Sequence, residues 1–134
     1  MERPLVIKFG GTSVGGGAEF SRAARTAADA ARERPVAVVV SAMSGVTNTL
    51  LGFAKSTAGS AYRTSTGATR EGSTAELHRT LADRHLKAAR EAVSGEHLPE
   101  VEERLLAVLD RLVEVMEAPV ENAAARKAEV AVFG

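Results

Sequence analysis

Leu5-Val6-Ile7-Lys8-Phe9-Gly10-Gly11-Thr12-Ser13-Val14-Gly15 is the stretch that decides the fold. A short apolar run leads into one lysine and then into glycines. The run predicts a strand over residues 4–9. Its lysine falls at the strand's C-terminal end, the edge at which open α/β sheets bind ligands. The glycines let backbone N–H groups approach an anion closely. Alone, Lys8 reads as a lysine snorkelling from a strand end. The glycines change that reading: Gly10-Gly11 and then Gly15-Gly16-Gly17 carry an entropic cost that simple packing does not explain. An anion-binding turn with a fixed positive charge at its edge explains it. The order excludes a Walker A loop, whose lysine follows the glycines, and the spacing excludes the dinucleotide fingerprint G-x-G-x-x-G.

Outward from this stretch, residues 18–34 predict a helix with Phe20, Ala24, Ala27 or Ala28, and Ala31 on one face. Pro35 ends it. Val36-Ala37-Val38-Val39-Val40-Ser41 predicts a second strand. Neither strand alternates strictly, so both read as buried on two faces, as parallel strands are. Strand, glycine loop, helix and strand make a βαβ unit with a right-handed crossover. Ala42-Met43-Ser44-Gly45-Val46-Thr47-Asn48 forms a second small-residue turn, with a helix from about Thr47 to Ala54 or a little beyond. Parallel neighbours bring both turns to one edge of the sheet.

Ser56 to Thr74 is rich in Ser, Thr, Gly and Ala and has no period. It reads as a mobile loop, as a solvated linker more than a lid. Ser73-Thr74-Ala75-Glu76 fits a capping box. Leu77, Leu81, Ala88 and Ala92 continue one helical face, and Ser94-Gly95 suggests a glycine C-cap. Leu98-Pro99 opens a further helix whose apolar stripe is Val101, Leu105, Val108, Leu109, Leu112 and Met116. Pro119 breaks it. A short Ala-rich helix over about 120–126 and a third strand at Val130–Phe133 follow.

The bulk numbers narrow the class. The chain has 134 residues, enough for one domain with a modest core. Seventeen basic residues balance seventeen acidic ones, which disfavours a nucleic-acid partner. There is no cysteine, hence no disulfide and no thiolate metal site. The apolar runs are too short for a membrane span, and residues 5–7 are too few for a signal-peptide core. A soluble, cytoplasmic protein is expected. His78 and His85 lie about 10 Å apart along a helix, too far for one metal ion. With His97 they read as solvated or half-buried side chains, and no metal site is expected.

Lys8-Phe9-Gly10-Gly11-Thr12-Ser13-Val14 resembles the N-terminal signature of aspartate kinases, in the amino-acid kinase superfamily. Val39-Val40-Ser41-Ala42-Met43-Ser44-Gly45-Val46-Thr47-Asn48 resembles that family's second motif, in the right order and at the expected distance. The helical segment from about 75 to 118 is similar to the family's helical insertion. The resemblance spans essentially the whole chain and corresponds to the N-terminal part of the family's catalytic domain. It implies an α/β fold: an incomplete amino-acid-kinase (carbamate-kinase-like) three-layer architecture, with a parallel βαβ start and a helical insertion. The nucleotide-binding half and the ACT regulatory domains are expected to lie outside it.

The resemblance also implies an activity: transfer of the γ-phosphoryl group of MgATP to the side-chain carboxylate of L-aspartate. Lys8 would neutralise charge on the transferring group. Phe9, Gly10, Gly11, Thr12 and Ser13 would line the phosphates, with Thr12 and Ser13 supplying hydroxyls or capping a helix. Ser41 and Thr47 match positions that bind aspartate. On their own they read as a strand end and a helix cap. The family's substrate glutamate would directly follow Phe133-Gly134, so the 134-residue chain by itself is expected to make no aspartyl phosphate. Association through an unpaired sheet edge, or a homo-oligomer, is expected. Two other readings stand beside this one: a non-catalytic phosphate-binding or assembly module, and an amino-acid kinase with another acceptor.

Overall fold

The computed structural model describes residues 3–61 and 71–117. Strand β1 (Leu5–Phe9) leads through a 3₁₀ turn (Gly11–Val14) into helix α1 (Gly17–Ala31). Strand β2 (Val36–Val40) returns beside β1, and helices α2 (Val46–Ala61), α3 (Glu71–Ala92) and α4 (Leu98–Glu117) follow. The two strands pair in parallel, with Leu5 opposite Val36 and Phe9 opposite Val40. The Leu5 N–H donates to the Pro35 carbonyl below this ladder, and the Ser41 N–H to the Phe9 carbonyl above it. The βαβ unit is therefore present, and the fold is α/β with a parallel start, as the resemblance implies.

Helix α1 packs on both strands and on α3. Helices α3 and α4 form an antiparallel hairpin. Its pairing is fixed by Thr74 with Glu117 at 2.6 Å, His78 with Asp110 at 2.9 Å and Arg90 with Glu102 at 2.6 Å. The first residue of each pair runs up α3 as the second runs down α4. The core lies between α2, α3 and α4: Met43, Val46, Leu50, Leu77, Leu81, Ala82, Ala88, Leu109 and Leu112 are all buried. Phe20 of α1 and Phe53 of α2 pack against it. This cluster follows from the expected periodicity, since Leu77, Leu81 and Ala88 share one stripe of α3 and Leu109 and Leu112 one stripe of α4.

Several expectations are corrected. The strands are not buried on both faces among the described residues: Val6 is 64% exposed and Val40 59%. Helix α1 covers one side of the two described strands, and no described layer covers the other. In α1 the inward residues are Gly17, Phe20, Ala23, Ala27 and Ala30, so Ala24 and Ala31 point outward. The stretch 56–74 is not one loop, because α2 continues to Ala61 and α3 begins by Glu71. Ser73 accordingly sits inside the first turn of α3, not at its cap. Composition misled here, since Ala, Ser and Thr all tolerate a helix. Gly95 has no positive φ and follows α3 by three residues. The Ser94 carbonyl instead accepts from the His97 and Leu98 N–H groups. Val108 lies half exposed at the margin of the α4 stripe. The helix expected at 120–126 and the strand at Val130–Phe133 lie outside the described residues.

No helix among the described residues is long and apolar enough to cross a membrane.

Candidate functional site

The two motif loops meet at the C-terminal edge of the parallel pair. The first runs from Phe9 through Gly10 into the 3₁₀ turn, which the Ser13 N–H closes by donating to the Gly10 carbonyl at 2.9 Å. Val14 is fully buried and pins the end of this loop to the body of the protein. The second loop runs from Ser41 to Val46. It is anchored by two buried residues, Met43 and Val46, and by the Val46 N–H donating to the Met43 carbonyl at 3.0 Å.

Gly11 is where the loops touch. A Cβ on it would stand 3.3 Å from the Ala42 carbonyl oxygen and 3.7 Å from both Cα and N of Ser44. A Cβ on Gly15 would meet the Ser44 side chain at 3.8 Å. Gly11 thus allows close approach of one backbone to the other. Sequence could assign both loops to one edge; the direct contact of Gly11 with Ala42 and Ser44 appears only in three dimensions.

Lys8 is exposed on β1, and its ammonium nitrogen lies 3.6 Å from where a Gly10 Cβ would be. The amine therefore folds over the glycine turn. No carboxylate among the described residues pairs with it. Lys8 stands on the open face of the sheet with Val6, level with Val39 of β2. The hydroxyls of Thr12, Ser13, Ser41 and Thr47 are all on exposed residues, and none makes a hydrogen bond among the described residues.

Three details depart from expectation. Neither the 3₁₀ turn nor α1 has a side-chain cap, because Gly10 and Gly16 occupy the N-cap positions; Thr12 and Ser13 cap nothing. Thr47 is the second residue of α2, not its cap, and it is Thr49 whose hydroxyl donates back to the Gly45 carbonyl at 3.1 Å. Gly17 belongs to helix packing rather than to the anion loop. A Cβ there would collide with the Glu91 Cβ and come within 2.8 Å of the Ala88 carbonyl oxygen on α3.

One residue of this region carried no signal in the sequence. Arg84 of α3 reaches forty positions back and donates from Nη2 to the Ser44 carbonyl. It does so beside Gly45, whose φ of +86° suits glycine alone. Spacing within α3 could not have revealed a partner so distant in the chain.

The histidines stay apart from this edge. His78 is half-buried against Asp110, His85 bonds the Leu81 carbonyl at 2.7 Å, and His97 is exposed. Among the described residues no group of three His, Asp or Glu side chains could hold a metal ion.

Among the described residues the edge thus presents backbone and hydroxyl donors around an ammonium with no carboxylate partner. That arrangement suits a phosphorylated ligand. Comparison with curated proteins gives no match. A family model for the amino acid kinases matches residues 3–129, nearly the whole chain and both motif loops. The chain belongs to the amino acid kinase family, whose members are phosphotransferases.

Proposed function

We propose that this chain carries the phosphate-side and acceptor-side loops of an aspartate kinase. The reaction is attack of a side-chain carboxylate oxygen of L-aspartate on the γ-phosphorus of ATP, releasing ADP and leaving 4-phospho-L-aspartate. The observation that carries the reading is the contact of the two motif loops at Gly11, Ala42 and Ser44, with the unpaired Lys8 ammonium folded over Gly10.

Phosphoryl transfer depends on positioning and charge stabilisation more than on covalent help from the protein. Lys8, fixed on a strand end, neutralises the charge on the transferring group. The backbone from Phe9 to Ser13 and the Thr12 and Ser13 hydroxyls line the phosphates. Ser41 and Thr47 hold the acceptor through hydroxyls that no other described residue occupies. The N-terminus of α2, on which Thr47 sits, favours the acceptor's negative charge. Magnesium bound with the nucleotide would supply further neutralisation of phosphate charge. The acceptor identity rests on the match of the second motif, from Val39 to Asn48.

The test uses the protein expressed from the full reading frame that encodes this chain. Acyl phosphate is trapped with hydroxylamine in the presence of ATP and a panel of carboxylate amino acids. Aspartate should give hydroxamate and the others far less. Preference for another acceptor would remove the aspartate assignment while leaving the family intact.

A further inference from the structure

Arg84 sits on the exposed side of α3, between the buried Leu81 and Ala88. Its helical neighbours at three and four positions are Thr80, Leu81, Lys87 and Ala88, none of which offers a carboxylate. The arginines Arg22, Arg32, Arg90, Arg104 and Arg111 all pair with acidic side chains. Arg84 pairs instead with a main-chain carbonyl, that of Ser44 in the second loop.

That carbonyl is the one whose direction the turn leaves undetermined. The Met43 carbonyl accepts from the Val46 N–H, and the Gly45 carbonyl accepts from the Thr49 N–H. Ser44, between them, has no backbone donor of its own. The next residue is Gly45 at positive φ, where the steric restraint on peptide orientation is weakest. A trans peptide is planar, so its C=O and N–H point in opposite directions. Holding the Ser44 carbonyl toward α3 therefore turns the Gly45 N–H away from α3. That N–H makes no hydrogen bond among the described residues.

We propose that Arg84 is a positioning residue for the acceptor. By clamping the Ser44 carbonyl it fixes the Ser44–Gly45 peptide, so that the Gly45 N–H is presented as a donor to the acceptor's carboxylate beside Ser41 and Thr47. The clamp also ties the α3–α4 hairpin to the loop that receives the substrate. This inference rests on the reading of residues 41–47 as the acceptor loop.

The experiment compares Arg84→Met and Arg84→Lys with the wild type, using the full-reading-frame protein and whichever amino acid the wild type phosphorylates. In Arg84→Met the KM for the acceptor should rise about tenfold, the loss expected for a charge-assisted hydrogen bond. The KM for ATP should change by less than about twofold, and Arg84→Lys, which keeps one charged donor, should recover most of the loss. Because Leu81 and Ala88 carry the packing, Tm should fall by less than roughly 3 °C. An unchanged acceptor KM, an equal rise in both KM values, no rescue by lysine, or a larger fall in Tm would each overturn the proposal. An acceptor other than aspartate would sink the proposed function while leaving this one to be judged by the same numbers. If the wild type phosphorylates nothing, amide exchange over residues 42–49 decides: it must quicken in Arg84→Met and recover in Arg84→Lys, and unchanged exchange refutes the clamp.

Discussion

At the scale of single residues, hydroxyls and glycines divide the work at the sheet edge. Thr47 lies in the first turn of α2 with its hydroxyl uncommitted among the described residues, whereas Thr49 spends its own on the Gly45 carbonyl. Thr47→Val should therefore leave the fold intact and raise the KM for aspartate by roughly ten- to a hundredfold, the range for losing a hydrogen bond to a charged group. Initial-rate kinetics with both substrates varied would check this, and an effect confined to ATP would contradict the role. Lys8, Gly10 and Gly11 were legible from the sequence because a charge at a strand end and glycines after it are local features. Arg84 was not legible, because its partner is set by how α3 lies across the second loop. Gly17 was misread for a related reason. In the chain it continues a glycine cluster, while in space it is the point where α1 crosses α3.

Elements behave as their patterns foretell where a helix packs against another helix. The α3–α4 hairpin is the clearest case, with Leu77, Leu81 and Ala88 facing Leu109 and Leu112. Leu112 is only 2% exposed. Leu112→Ala should cost about 2–5 kcal/mol, the usual range for emptying such a site. Urea unfolding would report it as a lower midpoint at unchanged slope. The α1–α3 crossing gives a sharper test, because the sign is unusual. Alanine in place of a helical glycine ordinarily stabilises by up to about 1 kcal/mol. At Gly17 the added Cβ would collide with Glu91 and the Ala88 carbonyl, so Gly17→Ala should instead destabilise by roughly 1–3 kcal/mol. A stabilised Gly17→Ala variant would show that the crossing is looser than described. The strands were the less legible elements. A run of valines at 36 and 38–40 announces burial on both faces, but burial depends on layers that a two-stranded pair does not itself provide.

Across the whole molecule, topology makes the site. A parallel pair sends both strand ends to one edge, and the glycine loop and the second small-residue loop leave from those ends and pack together. Helix α1 carries the first loop's far end, α2 carries the second's, and the hairpin braces the second loop through Arg84. The match to the amino acid kinase family over residues 3–129 fits this arrangement and places both loops inside the family's domain. The βαβ order and the placing of both loops at one edge could be read from strand and turn signals alone; their contact at Gly11 could not. The interlocking of α1 with α3 could not, since it depends on a missing side chain. The role of this edge is tested by hydroxamate formation from ATP and L-aspartate by the full-reading-frame protein, measured for the wild type and for Lys8→Ala. Aspartate-dependent turnover is expected in the wild type and a loss of about a thousandfold or more in Lys8→Ala, with the KM for aspartate changed far less. Near-normal turnover without Lys8 would contradict that role.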